Sequence, residues 1–290
     1  MSDRVNAIQR KPPWLKHKIP SGPVYQGVRG ILRQKQIHTV CQEALCPNMG
    51  ECFSHNTATF LILGDHCSRN CRFCAVQHGN PKPIDAREPV RVAEAAQQMR
   101  LKHVVITSVT RDDLADGGAN HFAETISAVR SHLPEATVEV LIPDLQGDWK
   151  ALQKITITRP DVLNHNLETV PRLYPMVRPQ AVYQRSLELL RQVRHMDAAL
   201  LTKSGLMLGL GEEAKEIEQT LQDLLEAGCS LLTLGQYLQP SSRHLPIQRF
   251  VTPDEFEKWK AKALGMGFTR VASGPLVRSS YHARELLQRI

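Results

Sequence analysis

Six of the seven cysteines in this 290-residue chain are crowded between residues 41 and 74, where they form two triplets with different spacing. The first triplet has the spacing C-x4-C-x5-C and consists of Cys41, Cys46 and Cys52. The second triplet has the spacing C-x3-C-x2-C and consists of Cys67, Cys71 and Cys74. Between them, the apolar run over residues 59–63 predicts a buried strand. We therefore expect each triplet to lie on a loop, one before this strand and one directly after it.

The cysteine spacing favours iron–sulfur chemistry over a structural zinc site. Thiolates are soft ligands that suit both zinc and iron–sulfur clusters. Structural zinc usually takes four protein ligands in C-x2-C pairs, which neither triplet supplies. Three cysteines on a four-iron cluster leave one iron open to another ligand or to a substrate, whereas ferredoxin-type clusters are held by four. A three-cysteine site therefore indicates catalysis rather than electron storage.

The composition is that of a globular protein with a modest excess of positive charge. Lys and Arg number 36 against 29 Asp and Glu, a formal charge of +7, which fits either an acidic or phosphorylated partner or simply a solvated basic surface. No apolar run approaches the roughly 20 residues that cross a bilayer. Residues 1–18 lack the apolar core of a secretory signal, so we expect a cytosolic, cytoplasmic location, where thiols stay reduced.

From residue 58 onward, strand and helix patterns alternate. Apolar runs predict six strands, at residues 59–63, 104–106, 137–142, 162–163, 202–208 and 231–234. Helical periodicity predicts a helix after each strand, at residues 88–101, 119–133, 148–155, 183–196, 214–227 and 252–264. A further short helix is expected at residues 25–33. Short connections between strands and helices imply a parallel sheet with right-handed crossovers.

The predicted fold class is α/β, a partial (β/α)6 TIM-like barrel. Six units are fewer than the eight of a closed barrel, and the catalytic mouth of such a fold lies at the carboxyl ends of its strands. We divide the chain into an N-terminal extension that carries the first triplet (1–57), the partial barrel (58–266) and a C-terminal extension (267–290). The second triplet follows the first strand, which places it at the mouth.

Three motifs carry a resemblance to known enzymes. The second triplet, with Phe73 directly before Cys74, resembles the cluster motif of the radical S-adenosylmethionine (SAM) superfamily. With the first triplet and the sequence Arg-Ser-Ser-Tyr at residues 278–281, the chain resembles the lipoyl synthases. The resemblance extends over nearly the whole chain, through NMGECF, ATFLILGDHCSRNCRFCAV, TSVTRDDLADGGA, NHNLET and VASGPLVRSSYHA.

The resemblance implies two [4Fe–4S] clusters with different tasks. The second triplet would hold a cluster whose free iron binds SAM, and reduction would release methionine and a 5′-deoxyadenosyl radical. The first triplet would hold an auxiliary cluster that gives up its sulfide. A serine oxygen, which we assign to Ser280 with Ser279 in reserve, would complete the auxiliary site. Arg278 would hold the loop or steady the cluster charge.

The implied reaction is the insertion of two sulfur atoms into a protein-bound octanoyl-lysine, at C6 and then at C8. The substrates would be octanoylated carrier domains, such as those of 2-oxoacid dehydrogenases and the H protein of the glycine cleavage system. An electron donor such as ferredoxin or flavodoxin and iron–sulfur assembly or carrier proteins are further expected partners. We expect neither a nucleic acid nor a membrane partner. Because an alkyl radical is reactive, the two extensions should close the barrel.

Several single residues are weaker candidates. Ser108, Arg111, Asn166 and Glu168 follow strands, so we expect them at the mouth as hydrogen-bond partners of SAM or substrate, although structural loop roles are equally open. By the resemblance, Gly209 would let the SAM adenine come close and Phe73 would lie beside the cofactor. Structural roles are expected for the remaining polar and thiol residues of interest, namely Cys229 in the core and Asp112, Asp113 and Asp116 in turns.

Two alternatives stay open at this point. A radical SAM methylthiotransferase acting on tRNA would suit the basic charge, but the chain shows no appended RNA-binding module with interleaved aromatic residues. A non-catalytic two-cluster electron carrier, or a zinc-binding scaffold, would suit the cysteine count alone.

Overall fold

The computed structural model describes residues 10–16 and 22–287, and it contains ten β-strands there. The strands are β1 (His38–Thr39), β2 (Thr59–Ile62), β3 (His66–Cys67), β4 (Gln77–His78), β5 (His103–Ser108), β6 (Thr137–Leu141), β7 (Val162–Asn164), β8 (Leu201–Leu208), β9 (Leu231–Gln236) and β10 (Arg270–Gly274). Eight of them form one sheet in the order β1-β2-β5-β6-β7-β8-β9-β10, and β3 pairs with β4 separately. The strand order follows the chain order, which is the winding of a barrel.

The main sheet is parallel except at one edge. From β2 to β10 each neighbouring pair is parallel, whereas β1 runs antiparallel to β2, with His38 opposite Leu61. The α/β architecture of a partial barrel is thus confirmed, and all six predicted strands are present. In this sheet the prediction missed β1 and β10, and it also missed the two-residue strands β3 and β4 outside it. β1 has only two residues, and β10 has the mixed sequence RVASG, so neither gives an apolar run.

Eleven α-helices accompany these strands in the described residues. They are α1 (Pro23–Gln34), α2 (Val40–Glu43), α3 (Met49–Ser54), α4 (Glu88–Gln98), α5 (Ala119–His132), α6 (Trp149–Thr156), α7 (Tyr174–Val177), α8 (Tyr183–Met196), α9 (Ala214–Glu226), α10 (Pro253–Met266) and α11 (Ala283–Leu287). Three-residue 3₁₀ turns occur at Pro13–Leu15, Leu145–Gly147 and Pro171–Leu173. The predicted helices are confirmed within two or three residues at each end, and α10 begins as expected, with Thr252 accepting from the Glu255 N–H.

Apolar burial explains why these elements stack. Every residue of β2 and β9 is buried, as parallel strands covered on both faces require. One ionic group lies inside the barrel wall, where Lys203 of β8 donates to Glu139 of β6 at 2.8 Å, with both side chains 1% exposed. No helix in the described ranges is long and apolar enough to cross a bilayer.

The loop assignment for the triplets was wrong in part. Cys41 lies on α2, Cys52 lies on α3, and Cys67 ends strand β3. The helix α2 starts because the Thr39 side chain accepts a hydrogen bond from the Gln42 N–H. Such four- to six-residue helices are too short to show a helical period in the sequence.

The two predicted extensions are covered only in part. Residues 1–9 and 17–21 of the N-terminal one, and residues 288–290 of the C-terminal one, lie outside the described residues. The division at residues 57 and 266 stays a prediction, although β10 extends the barrel sheet beyond the second of these boundaries.

Candidate active site

A cavity of about 530 Å³ opens at the carboxyl ends of the parallel strands. Its wall includes all six cysteines of the two triplets and the whole Arg-Ser-Ser-Tyr segment, residues 278–281. The volume lies within the range of ligand pockets, about 300–1,000 Å³. One cavity therefore brings together residues from the first quarter of the chain and from its last fifteen residues.

The thiols of the first triplet are close enough to influence one another. Burial raises the pKa of Cys41 to about 12, and the negative charge of Cys46 adds to that rise. Burial also raises the pKa of Cys52 far above its usual value, with Cys41 and Cys46 as further causes. The three sulfurs thus share one site and would gain from a positively charged ligand.

The second triplet behaves in the same way. Burial raises the pKa of Cys74 to about 12, with contributions from Cys71, Cys67 and Glu168. Burial likewise raises the pKa of Cys71, while the guanidinium of Arg178 opposes the rise. The thiols that raise one another's pKa belong to the same triplet, so the cavity holds two separate sets of three thiols.

Ser279 and Ser280 point to different parts of the cavity. The Oγ of Ser280 accepts a hydrogen bond of 2.8 Å from the Thr59 hydroxyl, and Thr59 also acts on the Cys41 thiol, where it opposes the rise in pKa. The Oγ of Ser279 instead contacts Nδ2 of Asn166. Ser280 is therefore the serine on the side of the first triplet.

Further contacts fix the C-terminal segment against the first triplet. The buried Asn48, between Cys46 and Cys52, donates to the Leu276 carbonyl at 2.6 Å. Tyr281 donates to Glu51 at 2.9 Å. Backbone packing also requires glycine at residue 235 of β9, where a Cβ would lie 2.1 Å from the Val277 carbonyl oxygen. These contacts hold residues 276–281 across the open edge of the site.

Arg278 lines the cavity near the first triplet. Burial lowers its pKa, while the negative charges of Cys46 and Glu168 oppose the change. Its guanidinium therefore lies near the first triplet on one side and near Glu168 on the other.

Polar side chains without partners line the rest of the cavity. Ser108 Oγ, Asn166 Oδ1 and Arg178 Nε are buried and have no hydrogen-bond partner among the described residues. Glu168 accepts from Asn166 Nδ2 at 3.1 Å and has a positive φ of 68°, an uncommon conformation for this residue type. Buried polar atoms usually have partners, so these atoms indicate a polar ligand.

Of the six weaker candidates, four line the cavity and two do not. Those in the wall are Phe73, Ser108, Asn166 and Glu168. Arg111 lies behind the wall, where it pairs with Asp113 at 2.8 Å and donates to the Leu63 carbonyl. Gly209 packs against the protein itself, since a Cβ there would lie 2.3 Å from Gln236 Nε2 and 2.5 Å from the Arg249 carbonyl oxygen. Contacts of these two residues with a cofactor stay predictions.

Two other residues have structural surroundings. Cys229 is 2% exposed and its sulfur lies 3.4 Å from the Leu231 carbonyl, away from the cavity. His165 lines the cavity, but its ring contacts the Ile142 carbonyl at 2.8 Å and Ser186 Oγ at 3.0 Å. Burial lowers the pKa of His165 to about 4, so the ring is neutral at pH 7.

Sequence reasoning missed Thr59, Arg69 and Arg178. Thr59 opens a strand and looks like any β-branched residue, and Arg178 is marked only by the proline after it. Arg178 donates to the carbonyls of Asn166 and Leu167, at 2.9 and 3.0 Å. Arg69 stands inside the second triplet, and its position between two cysteines was the one available signal.

The donor set fits iron–sulfur clusters better than a single ion. In the described part of the chain, no three His, Cys, Asp or Glu side chains converge closely enough to hold one metal ion. A four-iron cluster does not need that convergence, because each cysteine binds a different iron. The cavity is lined by two sets of three free cysteines. These sets supply the ligands that two clusters require.

Comparison with protein families gave two matches. Residues 61–224 match the model of the radical SAM superfamily, and residues 3–46 match the model of the N-terminal domain of lipoyl synthase of the radical SAM family.

Two curated relatives illustrate the similarity along the chain. Lipoyl synthase of Nitrosococcus oceani is 58% identical over 276 residues, covering 95% of this chain and 85% of the relative. Lipoyl synthase of Alkaliphilus metalliredigens is 54% identical over 282 residues, covering 97% of each chain.

Solved structures with low sequence identity share the fold. HydG, a maturase of the [FeFe]-hydrogenase, superposes with a TM-score of 0.56 at 13% identity, covering 91% of this chain and 74% of that one. SuiB of Streptococcus suis bound to S-adenosylmethionine gives a TM-score of 0.56 at 10% identity, covering 78% and 53%.

Proposed function

The chain belongs to the lipoyl synthase family of radical SAM enzymes, and from this membership we propose which residues serve each step of its reaction. As a lipoyl synthase it is a sulfurtransferase that uses SAM and two [4Fe–4S] clusters. The family assignment lends no support to a tRNA methylthiotransferase or to an electron carrier. When bound, SAM and the two clusters supply a 5′-deoxyadenosyl radical and the sulfur for C6 and C8 of an octanoyl-lysine.

Cys41, Cys46, Cys52 and Ser280 are the proposed ligands of the auxiliary, sulfur-donating cluster. The observation that carries this assignment is the Thr59 hydroxyl, which lies between Cys41 and Ser280 and so brings the serine oxygen to the first triplet. A serine oxygen binds iron less tightly than a thiolate does, so Ser280 would be the ligand that leaves when sulfur is removed.

Cys67, Cys71 and Cys74 are the proposed ligands of the cluster that binds SAM. Their loop is fixed from outside by His244, whose Nε2 lies 3.0 Å from the Cys74 carbonyl oxygen, and by the Leu245 N–H, which donates to the Arg72 carbonyl. Three thiolates would leave one iron of a four-iron cluster without a protein ligand.

The cavity wall supplies polar partners for SAM. Arg178 presents an unpaired, buried Nε–H that would bind a carboxylate, and Glu168 would bind an amino group or ribose hydroxyls. Ser108 and Asn166 offer buried oxygens without partners. These four residues would hold SAM at the free iron side of the second triplet.

Apolar side chains would accept the octanoyl chain. Leu61, Leu141, Met207 and Tyr237 line the same cavity as the cysteines. Such surfaces exclude water and leave few polar hydrogens near a carbon radical. Arg278, which lies near Cys46, would balance the negative charge of the occupied first triplet.

We also propose individual partners and a cellular location, which membership of the family does not by itself specify. Octanoylated carrier domains of 2-oxoacid dehydrogenases and the glycine cleavage H protein would present the substrate. Ferredoxin or flavodoxin would supply electrons, and iron–sulfur assembly proteins would restore the consumed cluster. A cytosolic location fits the reduced thiols of the site.

Reductive incubation of the reconstituted protein with SAM and an octanoyl-lysyl peptide tests the assignment. We expect a mono-thiolated and then a dithiolated peptide by mass spectrometry, together with 5′-deoxyadenosine and methionine. Cys46→Ala should abolish peptide thiolation but still cleave SAM, and Cys71→Ala should abolish both.

Cys229→Ala is the matched control, because Cys229 is a buried cysteine outside the cavity. It should retain both activities. Full thiolation in Cys46→Ala would show that the first triplet does not hold the sulfur donor.

A further inference from the structure

Arg69, the middle residue of the segment between Cys67 and Cys71, is buried and pairs with two carboxylates. Its Nε and Nη2 donate to the two oxygens of Asp112 at 2.6 and 2.8 Å, and Nη2 also donates to Asp144 at 2.6 Å. The Arg69 side chain is 5% exposed and that of Asp144 is 0% exposed. Bidentate pairs of this kind fix the geometry as well as the charge.

The segment between Cys67 and Cys71 and the loop after β5 are joined a second time through Ser68. The Ser68 N–H and Oγ–H both donate to the Thr110 carbonyl, at 2.9 and 3.0 Å, and the Asp112 N–H donates to Ser68 Oγ at 3.0 Å. Residues 68–69 and 110–112 therefore form one clamp, which consists of the Arg69–Asp112 pair and the Ser68 hydrogen bonds.

The clamp delivers two backbone donors to one cysteine. The Thr110 N–H points at Cys67 Sγ from 3.3 Å, and the Arg69 N–H does so from 3.4 Å. Hydrogen bonds to ligand sulfurs tune the reduction potential of iron–sulfur clusters. They favour the reduced cluster because it carries more negative charge on its sulfurs.

We propose that Arg69 is a positioning residue that raises the reduction potential of the SAM-binding cluster by holding the Thr110 and Arg69 N–H groups on Cys67. The inference rests on the proposed assignment of the second triplet to that cluster. Without the clamp, the loop after β5 can withdraw from Cys67, and electron entry into the cluster becomes less favourable.

The test is a dithionite titration of the holoenzyme followed by EPR, with and without SAM. The component of the reduced signal that changes on adding SAM belongs to the SAM-binding cluster. Arg69→Gln should make its reduction about tenfold less favourable, a shift of about 59 mV to lower potential for one electron. Arg69→Lys keeps the charge but loses the bidentate geometry, and it should shift the potential in the same direction.

Arg185→Gln is the matched control. Arg185 pairs with the same Asp144, at 3.3 Å, but lies on α8 outside the clamp, so its removal should leave the potential unchanged. Ser68→Ala is a milder clamp variant that protects the test against misfolding, and we expect a smaller shift of the same sign.

Three results would overturn the inference. The first is a wild-type reduction potential in both Arg69→Lys and Ser68→Ala at full iron content. The second is a shift of the same size in the potential of the SAM-insensitive component. The third is loss of iron with no shift in the potential of the cluster that remains. A wild-type enzyme with no SAM-sensitive component would overturn the ligand assignment itself, and with it the inference.

Discussion

The Thr59 hydroxyl donates a hydrogen bond of 2.8 Å to the Oγ of Ser280, across 221 residues of sequence. Ser280→Ala removes the proposed fourth ligand of the auxiliary cluster, so we expect at least about a 100-fold loss of thiolated peptide. Ser279→Ala loses only the contact with Asn166 and should cost about 10-fold or less. Single-turnover product analysis by mass spectrometry measures both.

SAM cleavage in the absence of peptide is the control for this pair of variants, since neither serine is a proposed ligand of the SAM-binding cluster. A larger loss of thiolation in Ser279→Ala than in Ser280→Ala would reverse the assignment of the serine ligand.

Loading of the first triplet should release protons. Burial raises the pKa of Cys41 to about 12, and burial likewise raises the pKa of Cys46 and Cys52, so all three are thiols at pH 8. Cluster binding requires thiolates, so each ligand gives up its proton and loading becomes more favourable as the pH rises. A pH indicator in weakly buffered apoprotein should record about three protons from the first triplet on cluster transfer, once the protons taken up by the thiolates that the donor frees are subtracted.

The Cys46→Ala variant, which keeps only Cys41 and Cys52 of the first triplet, provides the comparison. It should release fewer protons per chain than the wild type, and pH-independent loading of the wild type would contradict the prediction.

The ion pair inside the barrel should support stability only while both partners are present. Lys203→Met removes the Nζ partner of the buried Glu139 carboxylate and leaves it only Asn164 at 3.2 Å and His103 at 3.6 Å, so we expect a loss of about 3–5 kcal/mol in the free energy of unfolding. The double variant Glu139→Leu with Lys203→Met removes the uncompensated charge and should recover most of that loss. Urea denaturation followed by circular dichroism gives these free energies.

The pair also predicts a pH dependence with a defined sign. Burial acts to raise the pKa of Glu139, but Lys203 and His103 lower it to about 2. Because this is below the unfolded value of about 4.3, the stabilisation is complete above about pH 4.3 and is lost as the pH falls toward 2. Lys203→Met should instead lose less stability than the wild type on acidification; a parallel decline of both proteins would refute the assignment.

Carrier docking should depend on exposed basic residues beside the second triplet. Arg72 lies in the loop of that triplet, and Arg243 precedes His244, which contacts the same loop. Both arginines are exposed and have no charged partner in the described part of the chain. Replacing both with Glu should slow association with an acidic octanoylated carrier about 10-fold at low salt. Stopped-flow binding at several ionic strengths measures the rates.

Arg100 and Lys102 are exposed basic residues at the opposite end of the strands, just before β5. Their replacement by Glu gives the same change in net charge and should leave the association rate near that of the wild type. Association that is insensitive to ionic strength would rule out electrostatic docking.

Much of the fold follows from local sequence, whereas the site depends on contacts between distant residues. Long buried strands such as β8 and periodic helices such as α8 carry their own signal, and so do the cysteine spacings. The helices that bear Cys41 and Cys52 are too short to do so. Arg111 illustrates the other limit, because its place after a strand suggested the cavity, but its pairing with Asp113 turns it behind the wall.

Asn48 and Leu276, which hold the first triplet against the C-terminal segment, are 228 residues apart. A ribosome makes the six clustered cysteines before most of the barrel and Ser280 only after β10. A nascent chain interrupted before β10 would carry every proposed cysteine ligand and lack the serine and the strand that places it. The order of translation therefore delays completion of the proposed sulfur-donating site until β10 and Ser280 have been made.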